Sequence, residues 1–259
     1  MQFEDIRDNI IGVPFINVVN AKYIYNLILE HKLENILELG IAHGTATCYM
    51  AAALDELGKG KITSVDLLEA KDHYQPTPED LLEQNGLSNY VDIIRTKTGY
   101  SWFLHDDIKN NTTNDICEPK YDLIIIDGPK NWTIDGLAFF LSDKLLKPNG
   151  WIIFDDYFWT YALADNKRDK TDGVAHRSLS EDEMNLPHVQ EIFELLVKQH
   201  PNYSEFYLHP NEDWAIARKV NIEPREYTIR YIEKGQDFLQ LLRQLVTRIV
   251  FMVSFKILK

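Results

Sequence analysis

Between Asn35 and Asp156, short runs rich in Ile, Leu and Val alternate with segments of helical period. That alternation restricts the chain to right-handed βαβ units around a parallel sheet. Ile36 to Leu39, Lys61 to Asp66, Val91 to Arg95, Asp122 to Asp127 and Trp151 to Asp155 read as strands. The run Asp122-Leu-Ile-Ile-Ile-Asp127 has no polar alternation, so it is expected at the sheet centre with both faces covered. Met50, Ala53, Leu54 and Leu57 fall at helical spacing after the first strand, as do Ile134, Leu137, Ala138, Leu141 and Leu145 after the fourth. Gln75 to Pro78 reads as a turn, Pro78 to Gly86 as a short helix, and Pro148-Asn149-Gly150 as a turn before the fifth strand.

After Asp156 the pattern changes. Asp165 to Asp172 is polar and turn-forming and is expected to be a mobile surface loop. A helix is expected from about His188 to Gln199. Ser204 to Leu208 and Trp214 to Lys219 then read as a hairpin around Pro210-Asn211-Glu212, so the sheet ends antiparallel. Residues 1–220 form one expected domain, with a helical cap over about 1–34, and residues 221–259 an extension of different composition. With 27 Lys and Arg against 40 Asp and Glu, the net charge of -13 argues against a nucleic-acid partner. Met1-Gln2-Phe3-Glu4-Asp5 lacks the basic start of a signal peptide, and no apolar run reaches the roughly 20 residues that span a bilayer. Cys48 and Cys117 are too few for a disulfide framework and read as reduced core residues. A cytoplasmic location is expected.

In an open α/β sheet, ligands bind where strands end and helix N-termini present unpaired N–H groups. Glu38-Leu39-Gly40-Ile41-Ala42-His43-Gly44-Thr45 is the first such place. Gly40 and Gly44 let the backbone approach a ligand, and Thr45 can offer a hydroxyl at the helix start; a merely structural tight turn is the competing reading. Asp66 ends the second strand 26 residues after Gly40, where an acid can accept hydrogen bonds from ribose hydroxyls.

The succession E-x-G-x-x-x-G-T, V-D, I-I-D-G and L-L-x-P-x-G-x-I-I-x-D-D resembles class I S-adenosylmethionine-dependent O-methyltransferases over residues 20–220. The branch it looks most like is the metal-dependent one, which includes catechol-type and macrocin-type sugar O-methyltransferases. The resemblance implies a Rossmann-like fold, with a seven-stranded, mostly parallel sheet flanked by helices and a last antiparallel hairpin. It places Glu38, Gly40 and Gly44 around the methionine moiety, Thr45 at its carboxylate, Asp66 at the ribose and Ser101 at the adenine. Trp102 reads as core rather than a stacking platform. The G-x-G-x-x-G pattern of dinucleotide enzymes is absent, which disfavours NAD.

Asp127 ends the fourth strand and Asp155-Asp156 the fifth. Three converging carboxylates repel unless a cation sits among them, and hard oxygen donors suit Mg²⁺ or another divalent ion. Consecutive strand residues point to opposite faces, so Asp155 and Asp156 can both reach one ion only if the strand breaks there. A metal-free pocket with Asp127 on the cofactor side and Asp156 a solvated acid is the alternative. The resemblance maps the family's metal ligands onto Asp127, Asp155 and Asp156. It places Lys130 where catechol-type enzymes carry their catalytic lysine, although Gly128-Pro129 departs from the local pattern. His43, His105, His176, His188 and His209 lack metal-ligand spacing.

The expected reaction is methyl transfer to a hydroxyl flanked by another oxygen. A divalent cation would lower the hydroxyl's pKa and fix its position, and Lys130, desolvated enough to be neutral, would take the proton. The resemblance favours a sugar or glycan precursor as acceptor. A phenolic small-molecule acceptor, or a protein that binds the cofactor without turnover, are the alternatives. In the extension, Phe238, Leu241, Leu242, Leu245, Ile249, Met252 and Val253 fit one face of a helix from about Gly235 to Leu258, with Arg243, Arg248, Lys256 and Lys259 the only charges after Asp237. Its expected burial partners are its own domain, a second copy in a homodimer, or an anionic membrane surface that would make the protein peripheral to the inner membrane.

Overall fold

The computed structural model describes residues 1–163, 179–209 and 213–220. The chain divides into two units, Met1–Ile222 and Glu223–Lys259. The expected mobile loop, His176, the hairpin turn at 210–212 and the amphipathic tail lie outside the described residues.

Seven strands form one sheet: β1 (Asn35–Leu39), β2 (Lys61–Leu67), β3 (Val91–Thr96), β4 (Tyr121–Ile126), β5 (Leu146–Phe154), β6 (Tyr203–His209) and β7 (Trp214–Lys219). Their spatial order is β3-β2-β1-β4-β5-β7-β6. The first five are parallel; β7 runs antiparallel to β5 and β6 antiparallel to β7, as the sequence pattern predicts. Connections leave β1 toward β2 on one side and β4 toward β5 on the other, so the strand order reverses between β1 and β4. A crevice opens at such a reversal.

Helices cover both faces. On one lie α1 (Phe3–Asn9), α2 (Val18–His31), α3 (Thr45–Leu57) and α4 (Pro78–Gln84), enclosing a core with Ile24, Ile28, Ile36, Met50 and Leu54. On the other, α5 (Tyr100–Asn110), α6 (Trp132–Leu145) and a helix beginning at α8 (His188–Ile192) enclose Leu39, Leu104, Ile124, Phe139 and Phe154. Between them α7 (Glu181–Asn185) is a single capped turn. Full burial of each such Leu or Ile contributes roughly 1.5–3 kcal/mol, so an uninterrupted apolar β4 is stable only at the centre of two layers. In α3 the run Ala51-Ala52-Ala53 is wholly buried, and these small side chains let the helix approach α2 and the sheet.

Local signals set the helix ends near the crevice. Thr77 caps α4, with Asp80 bonding back to it and Pro78 in the first turn. Asn17 caps α2 and Asn131 caps α6, each accepting backbone N–H groups.

Three expectations are corrected. Trp102 is 61% exposed, because α5 turns it outward while Tyr100 and Leu104 take the buried positions. Cys117 is only partly buried, on a two-residue ladder between Thr112–Thr113 and Ile116–Cys117; Cys48 is fully buried. β5 begins at Leu146, with Pro148-Asn149-Gly150 inside it as an irregularity between the pairs Tyr121–Leu146 and Leu123–Trp151. No helix among the described residues is long and apolar enough to cross a membrane.

Candidate active site

The sheet register brings four strand ends to one edge: Leu39 pairs with Val65 and with Ile126, and Ile126 with Phe154. The residues just beyond are Gly40, Asp66, Asp127 and Asp155. Three backbone hydrogen bonds extend the ladder there: Gly40 N–H to Val65 O (2.9 Å), Asp127 N–H to Leu39 O (2.8 Å) and Asp155 N–H to Ile126 O (3.3 Å).

On the β1–β2 side, Gly40 has φ +100°, and a Cβ there would lie 2.0 Å from the carbonyl oxygen of Asp127. Glycine is therefore demanded by the crossing of two chain segments before any ligand is considered. Gly44 precedes α3 with φ +79° and packs against Pro78. The Asp66 carboxylate accepts from Ile41 N–H (3.0 Å) and Ala42 N–H (3.1 Å) through Oδ2, and from Leu67 N–H (2.7 Å) through Oδ1. It thus holds the loop that follows β1. The Thr45 hydroxyl donates to Pro14 O at 2.7 Å and so ties the segment before α2 to this loop. Ser101 lies partly exposed in the first turn of α5.

Glu38 points into the α3 layer. It is 2% exposed, and its Oε2 accepts from Thr47 Oγ1 (2.7 Å) and Ser64 Oγ (2.6 Å). Burial pushes its pKa up to about 8; the two hydroxyls pull the other way, while Asp127 and Asp66 add to the rise. At neutral pH this carboxyl is mostly protonated.

On the β4–β5 side, β5 ends at Phe154 and Asp156 has φ +56°. The strand breaks where two consecutive acids must face one point. Asp127, Asp155 and Asp156 each present an oxygen within 4.8 Å of the others. The Lys130 ammonium is seated among them, bonded to Asp127 and 3.2 Å from Asp156 Oδ2. Asp155 also accepts from the indole N–H of Trp214, brought across from β7 by the antiparallel hairpin. Burial and mutual repulsion raise the pKa of Asp127 and Asp155, against the pull of Lys130. For Lys130, burial alone would lower the pKa, but Asp127, Asp156 and Asp155 more than offset it and hold the value above that of ordinary lysine. Desolvation therefore does not leave Lys130 neutral in this state: three acids outweigh it.

The loop carrying Lys130 is clamped from several elements. Asp135, 1% exposed, accepts from Asn131 N–H (2.6 Å) and from the Tyr100 hydroxyl. Asn131 Nδ2 donates to the Tyr161 hydroxyl (3.1 Å), which donates to Pro129 O (3.2 Å). His188 Nδ1 accepts from Trp132 N–H (3.1 Å). Gly128 leaves room for Tyr100, whose hydroxyl would be 2.3 Å from a Cβ at that position. The departure at Gly128-Pro129 thus has a packing cause.

Beside the acids is a cleft of about 370 Å³, lined by Phe15, Ile16, Asn17, Asn20, Asp155, Asp156 and Asp213. Phe15 stacks on His43 (centroids 5.4 Å, 21° between planes), which meets Tyr74 edge-on. Asp213 accepts from Phe158 N–H at 2.6 Å, and burial raises its pKa. Sequence reading missed this wall. Residues 13–20 carry no motif, and only the N-cap Asn17 marks the start of α2. Trp214 and Asp213 were legible only as part of a hairpin.

A glycine loop and an acid at one strand pair, with a carboxylate cluster, a lysine and a cleft at the adjacent pair, lie along one edge of a sheet with the Rossmann-like methyltransferase fold. Residues 37–157 match the family model described as a methyltransferase domain. Among solved structures, a Staphylococcus aureus protein provisionally named a caffeoyl-CoA O-methyltransferase aligns with a TM-score of 0.57 at 24% identity, covering 85% of this chain and 92% of its own. An O-methyltransferase from Bacillus cereus in complex with SAH gives 0.56 at 19% identity, covering 85% and 90%. The SAH-bound methyltransferase PaMTH1 of Podospora anserina gives 0.57 at 17% identity, covering 85% and 86%. No curated protein matches the chain.

Proposed function

We propose that the protein is an S-adenosylmethionine-dependent O-methyltransferase, assisted by a divalent cation such as Mg²⁺, whose acceptor is a sugar or glycan-precursor hydroxyl flanked by another oxygen. The observation that carries this reading is the common edge of four strand ends, with Gly40 and Asp66 on one side and Asp127, Asp155 and Asp156 on the other. Three hard oxygen donors gathered by a strand break support a divalent ion, which would share the acids with the Lys130 ammonium. Glu38, Gly40, Gly44, Thr45, Asp66 and Ser101 would surround the cofactor. When bound, the sulfonium supplies an electrophilic methyl group and the divalent ion acidifies and fixes the neighbouring hydroxyl.

The chain's own residues do the rest. Asp66 and the loop it holds fix the adenosyl end, and the cleft beside Asp156 holds the acceptor, so the two reactants meet across the β1–β4 reversal. Asn17 and Asn20 line this cleft. Lys130 faces the same edge; once other charge neutralises the acids, it would release its own proton to solvent and, as the neutral amine, take the acceptor's. A phenolic acceptor is the second reading, favoured by Phe15 and Ile16 in the same cleft.

The test is a methyl-transfer assay with a panel of sugar vicinal diols and catechols, using chelator-treated enzyme with and without Mg²⁺. Transfer to a sugar that needs the metal is expected. Transfer only to catechols would move the acceptor class, and full activity without metal would return the acids to a structural role.

A further inference from the structure

β3 contributes a residue that neither its strand role nor the proposed chemistry uses. Arg95 pairs in register with Asp66 at the end of β2. Its side chain is only 11% exposed. Nη2 donates to Glu79 on α4, at 3.2 Å and 3.3 Å to the two carboxylate oxygens. Nη1 lies 4.0 Å from Asp66 Oδ2, too far for a hydrogen bond. Nη1 and Nε are both buried and have no hydrogen-bond partner among the described residues. Buried unmatched donors on a charged group are costly, and a ligand atom that completes them would recover that cost. Asp66 cannot turn to satisfy Arg95 without releasing the amides of Ile41, Ala42 and Leu67.

An acceptor-only carboxylate 4.0 Å from a donor-only guanidinium matches a hydroxyl brought between them. A hydroxyl donates its proton and accepts through its oxygen at once, which neither an amine cation nor a carbonyl does. We propose that Arg95 is a specificity-determining residue for the adenosyl ligand: it donates from Nη1 and Nε to the oxygen of a ribose hydroxyl whose proton goes to Asp66. The inference rests on the proposed placement of the cofactor ribose at Asp66. Glu79 holds the guanidinium through Nη2, so Nη1 stays beside Asp66 before the ligand arrives. A site built this way rejects a sugar lacking that hydroxyl, since both the carboxylate and the guanidinium then stay unpaired.

The test is calorimetric titration of wild type, Arg95→Met and Arg95→Lys with S-adenosylhomocysteine and its 2′-deoxy and 3′-deoxy analogues, with melting temperatures recorded for each protein. Wild type is expected to bind S-adenosylhomocysteine and to disfavour at least one deoxy analogue by tenfold or more. In Arg95→Met, affinity for S-adenosylhomocysteine should fall about tenfold and most of that discrimination should vanish, with Arg95→Lys retaining part of it. Equal weakening toward all three ligands would reduce Arg95 to a structural support and overturn the proposal. So would unchanged discrimination in Arg95→Met. Failure of wild type to bind S-adenosylhomocysteine at all would instead remove the cofactor assignment on which the proposal stands.

Discussion

Replacing Glu38 by Gln should flatten the dependence of folding stability on pH. In the folded protein the Glu38 carboxyl is pushed from an ordinary 4.5 to about 8, chiefly by burial. Between those two values the folded state holds a proton that the unfolded chain has released. The stabilisation from this group is fully present below pH 4.5 and is lost as pH rises through 8. At about 1.36 kcal/mol for each pKa unit, the interval corresponds to roughly 5 kcal/mol when deprotonation is complete, a large part of a typical domain's stability. Gln keeps an oxygen for the hydroxyls of Thr47 and Ser64 and never ionises. Urea unfolding at pH 5, 6.5, 8 and 9 measures both proteins. Asp127 and Asp155 also have raised pKa values, so the informative quantity is the difference between the two curves. Wild type should lose several kcal/mol more than Glu38→Gln between pH 5 and 9, and above pH 8 the variant should be the more stable. Parallel curves would refute the assignment of a buried, protonated Glu38.

Asp135→Asn should destabilise the protein by about 1–3 kcal/mol, because Asp135 accepts from the Tyr100 hydroxyl and Asn131 N–H on different oxygens and an amide replaces one of those oxygens with an NH2 donor; thermal melts would show it. Gly40→Ala forces a Cβ against the Asp127 carbonyl at a left-handed φ, so the variant should fold poorly or melt far lower, and an unchanged melt would contradict the described crossing. Lys130→Met should lower the melting temperature in chelator and recover more of it with Mg²⁺ than wild type gains, since it strips the ammonium from three acids. Its turnover should fall with cofactor affinity nearly intact.

The parallel sheet was readable because short β-rich runs, the most apolar of them β4, alternate with helical segments, and because residues with chemistry stand at or just beyond the strand ends: Gly40, Asp66, Asp127, Asp155. The break after Phe154 followed from one steric fact, that adjacent strand residues diverge while Asp155 and Asp156 had to converge. What could not be read depends on contacts distant in sequence. Trp102 has the composition of a core residue, and only the rotation of α5 decides that it faces solvent. Trp214 reaches Asp155 across 59 positions through a hairpin whose register no local pattern sets. Thr45 looked free for a ligand, yet its hydroxyl is engaged by Pro14, in a segment without a motif. The charge state of Lys130 turned on the balance between burial and three acids, which spacing alone does not weigh.

The central claim is that an adenosyl cofactor sits at the glycine loop with its ribose on Asp66, and calorimetric titration of S-adenosylmethionine into wild type and Asp66→Ala tests it most directly. Asp66 also holds the loop through the Ile41 and Ala42 amides, so circular dichroism and a thermal melt should accompany the titration to confirm that the variant is folded. One site per chain is expected in wild type, with an affinity at least tenfold weaker in the folded variant. Equal affinity in the two proteins, or no binding by wild type, would contradict it.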